Sequence, residues 1–258
     1  MSLPGSNTTH QQGVLLPSTC MELQPIIPSD YPAIVIFTGA GISAESGVPT
    51  YRGKEGIWGK YNWEAVACEE AFQRDPAKVL EFHALRRRTL AGCMPNRAHQ
   101  VIAALEASHP EVQVITQNID GLHQLAGSRH VIELHGSLWR MRCTREGTIQ
   151  HLSRDAECPT HCICGGWLRP DIVWFGDFLD QRIIDQATNL ISRCDLLISV
   201  GTSGAVWPSA GFPKLARQQG AHCVEVNPEE TEMSFLYHEV HRGPAGEILP
   251  ALFPDIPI

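Results

Sequence analysis

A short, purely apolar run, Ala33-Ile-Val-Ile-Phe37, leads straight into the glycine-rich turn Thr38-Gly-Ala-Gly41. Such a run has no polar face to offer water, so the strand it forms must be covered on both sides, as in a parallel sheet flanked by helices. Comparable strand patterns recur at 112–116, 131–134, 196–200 and 222–226. Between them lie helical patterns at 76–90, 96–107, 181–193 and 210–219. The alternation predicts an α/β fold, a Rossmann-like doubly wound parallel sheet.

Two stretches break the rhythm. Residues 53–72 hold Gly, Trp and Tyr without periodicity and predict a loop over a site with short helices, within an insert spanning 53–95. Residues 140–169 carry a cysteine cluster and read as a small inserted zinc-ribbon-like module. The expected organisation is therefore a flexible tail over 1–30, a large domain from 31–139 and 170–258, and the module at 140–169.

The 258 residues suffice for one large domain with such an insert. A net charge of -8 without basic runs makes direct nucleic-acid binding a poor expectation, because such binding relies on neutralising phosphates. No stretch is long and apolar enough to span a bilayer. The first basic residue is Arg52, which argues against a secretory signal or an Arg-rich presequence. The cysteines number nine, an odd total that suits a reducing compartment, cytoplasmic or nuclear, better than a disulfide scaffold.

Three polar clusters sit where successive strands end. Thr38-Gly-Ala-Gly-Ile-Ser-Ala-Glu-Ser-Gly47 should open a helix; Gly39 and Gly41 let backbone approach a pyrophosphate, and Ala44 takes the third position of a relaxed dinucleotide motif. The alternative is a tight strand-to-helix turn without a ligand. Thr116-Gln-Asn-Ile-Asp-Gly-Leu-His123 offers Asn118 and Asp120 to ribose hydroxyls or an amide; the alternative is a helix cap. Glu133-Leu-His-Gly-Ser137 places His135 beside a glycine, with room for a general base and its substrate.

Together these segments resemble the sirtuin family. The resemblance is carried by the run from Gly39 to Gly53, by Thr116–Asp120, His135-Gly-Ser137, Leu168-Arg-Pro-Asp-Ile-Val-Trp-Phe-Gly176, Gly201-Thr-Ser203 and Asn227, in the family's order. It implies an NAD-dependent protein lysine deacylase acting on acyl-lysine proteins or peptides, with NAD consumed as co-substrate and a structural zinc in the small module. It further implies that Gly39, Ala40, Gly41 and Ser43 hold the phosphates and that Arg52 lies in a cofactor loop. Gln117, Asn118 and Asp120 would hold the nicotinamide end. Gly201, Thr202, Ser203 and Asn227 would reach the adenosine part. Val173, Trp174, Phe175 and Gly176 would grip the substrate peptide as an added strand. In the implied chemistry the acyl oxygen attacks the ribose carbon bearing nicotinamide, and His135 takes a proton from a ribose hydroxyl. Water then releases lysine and O-acyl-ADP-ribose.

The resemblance is closest to the desuccinylase type, in which a Tyr and an Arg three residues apart read an acidic acyl chain. Here Arg86 matches the Arg and His83 replaces the Tyr, while Ala67 matches the small residue that widens the acyl pocket. His83 is expected to donate a hydrogen bond to the carboxylate. Acidic acyl groups are the first expectation and plain deacetylation the alternative; a mono-ADP-ribosyltransferase and a non-catalytic NAD sensor are further readings. For zinc, a four-thiolate set of Cys143, Cys158, Cys162 and Cys164 is expected, with His161 or Glu146 as substitutes.

Overall fold

The computed structural model describes residues 23–51 and 56–258. Its main sheet has six strands: β1 (Ile34–Thr38), β2 (Val112–Thr116) and β3 (Val131–Glu133) on one side, and β7 (Leu196–Val200), β8 (His222–Val226) and β9 (Glu239–His241) on the other. Their spatial order is β3-β2-β1-β7-β8-β9, and every pairing is parallel. The chain thus winds outward in two directions from a central β1/β7 pair.

The apolar run behaves as its composition demands. Every residue of β1 is buried. Ile34 and Ile36 face a core shared with Val101, Ile102 and Leu105, whereas Val35 and Phe37 face a second core with Ala187, Ile191 and Phe212. The helices are α1 (Ile57–Lys60), α2 (Trp63–Val66), α3 (Glu69–Arg74), α4 (Pro76–Ala91), α5 (Arg97–Ser108), α6 (Leu122–Ala126), α7 (Gln181–Ile191), α8 (Phe212–Gln218) and α9 (Ala245–Leu252). Helices α5 and α9 cover one face of the sheet, and α7 and α8 cover the other.

A second, antiparallel sheet of three strands, in the order β5-β4-β6, is built from β4 (Gly136–Cys143), β5 (Ile149–His151) and β6 (Leu168–Ile172). It shares a third core with α2, α3 and α4, in which Phe72, Val79, Leu80 and Phe82 meet Leu138, Met141 and Leu168.

Two local expectations are corrected. Residues 23–30 are not a free tail: Ile26 is buried, and its N–H donates to the Leu252 carbonyl at 2.8 Å. The glycine-rich turn opens a 3₁₀ turn, Ala40–Ser46, closed by Gly47 at φ 81°, and no longer helix follows. Strand β9 and helix α9 add to the expected elements beyond the last predicted strand.

Candidate active site

The polar clusters converge at the carboxyl edge of β1 and β7, where the strand order reverses and where ligands bind in open α/β sheets. The glycines there are required by the fold itself. A Cβ on Gly41 would lie 2.6 Å from the Gly201 Cα, and one on Gly39 would lie 2.7 Å from the Gly201 carbonyl oxygen. Gly201, at φ 60°, returns the constraint: its own Cβ would meet Ile42 N at 2.4 Å. The turns after β1 and β7 therefore interlock, and the result is a side-chain-free cradle at the sheet edge that fits a dinucleotide phosphate. Asn96 holds the cradle from behind by donating from Nδ2 to the Ile42 carbonyl at 2.7 Å.

The 3₁₀ turn is tied to the loop after β2 by a buried network. Ser43 Oγ donates to Asp120 Oδ2 at 2.8 Å. Asn118 Nδ2 donates to the Gly39 carbonyl at 3.0 Å and reaches Ser43 Oγ at 3.3 Å. Asp120 Oδ1 accepts the N–H of Leu122, the first residue of α6, at 2.9 Å. Burial raises the Asp120 pKa, opposed by its hydrogen bonds from Leu122 and Ser43. Gln117 is half-buried, with Oε1 accepting from Ser209 at 3.3 Å. On the β7/β8 side, Asn227 Nδ2 donates to the Thr202 carbonyl at 2.7 Å, and Ser203 follows as an exposed residue.

His135 lies in the turn between β3 and β4. Its Nδ1 is 2.9 Å from the Gln117 carbonyl oxygen. A carbonyl only accepts, so Nδ1 carries the proton and Nε2 keeps a lone pair. Burial lowers the His135 pKa, which favours the neutral imidazole a base needs. Arg52 lies outside the described residues.

The acyl-side residues are arranged otherwise than expected. His83 is buried, and its Nε2 accepts the indole N–H of Trp174 at 3.1 Å. Its remaining nitrogen bonds to the Val66 backbone, and its pKa is pushed down to about 3, chiefly by burial and then by Arg86 and Arg169. The expected donation from His83 to a carboxylate is thus not available: both nitrogens are spent and the ring is neutral. Trp174 is correspondingly buried, its ring 18° from parallel with the His83 ring. The N–H groups of Val173 and Phe175 donate to the carbonyls of His135 and Ala67 at 3.0 Å each. Arg86 is 9% exposed, with its guanidinium 5.2 Å from the centre of the Tyr51 ring. Among the described residues its guanidinium forms no salt bridge.

The profile of the Sir2 family matches residues 39–208, which contain the glycine cradle, the Asn118–Asp120 loop and His135. The chain belongs to the Sir2 family, the sirtuins. It is 48% identical over 224 residues to NAD-dependent protein deacylase 2 of Pyrobaculum aerophilum, covering 86% of this chain and 90% of that one. It is 48% identical over 202 residues to the NAD-dependent protein deacylase of Aeropyrum pernix, with 78% and 82% covered. A solved Sir2 homologue–NAD complex superposes with a TM-score of 0.82 at 41% identity, over 88% of this chain and 90% of the other. A Sir2–p53 peptide–NAD complex superposes with a TM-score of 0.76 at 31% identity, over 87% and 93%.

Within this sirtuin the small sheet carries a candidate zinc centre. One donor atom from each of Cys143, Glu146, Cys162 and Cys164 lies within 4.8 Å of the others. Backbone N–H groups of Arg145 and Glu146 point at Cys143 Sγ, each at 3.4 Å. Gly166 keeps the space open, since a Cβ there would stand 3.2 Å from Cys143 Sγ. Three thiols and a carboxylate suit four-coordinate zinc. The expected four-thiolate set is corrected in one position: Cys158 is outside this group and Glu146 stands in it. His161 is also outside, tilted against Trp167 with ring centres 4.1 Å apart.

Sequence reasoning missed two residues beside the site. Tyr51 lies against Arg86, and Trp139 donates from Nε1 to the Asp120 carbonyl at 2.6 Å. A tryptophan on a strand signals packing and nothing more; its partner lies 19 residues earlier in the chain.

Proposed function

We propose that this protein is an NAD-dependent protein lysine deacylase whose preferred acyl groups end in a carboxylate, such as succinyl, malonyl or glutaryl. Membership of the Sir2 family and relatives named as NAD-dependent protein deacylases support the deacylase reading. The acyl preference rests on Arg86. Arg86 is a largely buried residue beside Tyr51, and among the described residues its guanidinium forms no salt bridge, so it is free to pair with an incoming anion. A carboxylate at the end of an acyl chain would offer it two parallel hydrogen bonds. Ala67, small and buried, leaves room for the chain.

Gly39, Ala40, Gly41 and Ser43 would hold the NAD phosphates, Gln117, Asn118 and Asp120 the nicotinamide end, and Gly201, Thr202, Ser203 and Asn227 the adenosine end. When bound, NAD supplies an electrophilic ribose carbon and is consumed with release of nicotinamide. His135 Nε2 would take a proton from a ribose hydroxyl, since the Gln117 carbonyl keeps the ring in the tautomer whose Nε2 can accept one. Val173, Phe175 and Gly176 would meet the substrate peptide, with Trp174 supporting them from behind. All eight cysteines among the described residues are free, which suits a reducing cytoplasm or nucleus.

One observation favours a second reading, plain deacetylation: His83 has no N–H left for an acyl carboxylate. Kinetics on matched acetyl-, succinyl-, malonyl- and glutaryl-lysine peptides separate the two. Arg86→Met should lower kcat/KM on succinyl-lysine by about 10²-fold or more, the scale of a broken buried charge pair, and spare acetyl-lysine. Equal losses on both substrates would end the acidic-acyl reading.

A further inference from the structure

Trp139 stands outside the residues assigned above, yet three parts of the molecule meet on it. Its Nε1 donates to the Asp120 carbonyl at 2.6 Å. Its ring fills the space beside Gly121, where a Cβ would come within 2.8 Å of the indole, and Gly121 is held at φ 71°. The guanidinium groups of Arg87 and Arg154 lie 4.9 Å and 4.6 Å from the centre of its ring. Those arginines are themselves cross-links. Arg87, on α4, donates to the carbonyls of Leu138, Ser153 and Ala156. Arg154, in the small module, donates to the carbonyls of Leu90 and Cys93 at the end of α4.

We infer that Trp139 is a positioning residue for the cofactor site: it pins the Asp120–Gly121 peptide and ties it to α4 and to the cysteine module. The inference rests on the reading of Asp120 as a cofactor-side residue. Asp120 has its two carboxylate oxygens committed to Ser43 and Leu122, so the side chain can rotate little. What remains adjustable is the peptide plane that follows it. The indole N–H is a donor only, and the carbonyl it holds belongs to a peptide beside a left-handed glycine, a conformation glycine would otherwise leave readily. Two cations over the ring fix the indole in turn. A shift in α4 or in the module therefore reaches the Asp120 loop through one aromatic ring.

The test separates the N–H from the packing. In Trp139→Phe the ring is kept and the donor is lost; replacing Trp139 with benzothienylalanine keeps the bicyclic shape and removes only the N–H. Both variants, with Asp120→Asn as a reference, are assayed for KM of NAD, KM of the acyl-peptide, zinc content and melting temperature. A misplacement of about 1 Å can cost about 10²-fold. Both Trp139 variants should therefore raise the KM for NAD by about tenfold or more, leave the peptide KM within about twofold, and retain zinc. A purely structural role would lower the melting temperature and the active fraction without moving either KM. An unchanged KM for NAD in the benzothienylalanine protein overturns the inference, even if Trp139→Phe does not fold. If Asp120→Asn itself leaves the KM for NAD unchanged, the underlying reading of Asp120 fails first.

Discussion

His135 and His83 illustrate how much one hydrogen-bond partner decides. Burial lowers the pKa of both. His135 gives its Nδ1 proton to a carbonyl and keeps Nε2 free. His83 accepts at Nε2 from Trp174 and has nothing left to give. For a base that acts neutral, activity falls as pH drops through its pKa. The acid limb of kcat/KM for His135 should thus lie below pH 6.5. His135→Ala should cost about 10²–10⁴-fold in turnover while calorimetry still detects NAD binding. An acid limb centred at pH 7 or above, or lost NAD binding, would contradict this assignment. The His135-Gly pair after a strand was visible in the sequence. The Trp174 bond to His83 was not, because it joins residues 91 apart.

At the scale of elements, the small antiparallel sheet depends on its cysteine turn for part of its core. Cys143 and Cys162 pack in the same cluster as Phe72, Val79 and Leu168, so a metal bound there would stabilise α3 and α4 as well as the sheet. Stripping the metal with a chelator should lower the melting temperature. Cys162→Ser should lose metal by elemental analysis, whereas Cys158→Ser should retain it; a reversed result would restore the four-thiolate set. Spacing along the chain announced a cysteine site but not its membership. Arg87 draws the loop before Cys158 toward α4 by binding the Ser153 and Ala156 carbonyls.

Over the whole molecule, buried neutral histidines govern behaviour in acid. His83 is pushed down to about 3 and His99 to about 4, both by burial, and His123 well below its ordinary value. The unfolded chain binds protons at these sites near pH 6.5, before the folded chain does. Their contribution is therefore fully present above about pH 6.5 and declines as pH falls toward about 4, at about 1.4 kcal/mol per pH unit for each site fully in that window. Thermal melts should shift steadily downward from pH 7 to pH 4.5. A flat melting temperature across that range would show that these imidazoles titrate freely in the folded protein.

Contiguous apolar runs and polar clusters at their ends were enough to read the parallel sheet, its winding and the edge where the site lies. Burial on both faces of a central strand leaves its mark on consecutive residues, so it can be read locally. Free lone pairs, ligand membership and pinned carbonyls cannot. The Ser43–Asp120, Trp139–Asp120 and Trp174–His83 contacts join residues 77, 19 and 91 apart, and they exist only once α4 and the two sheets have packed. Hydrogen bonding is directional and short-ranged. A helix turned by a fraction of a turn would leave the same hydrophobic pattern in the sequence and a different set of partners in the site.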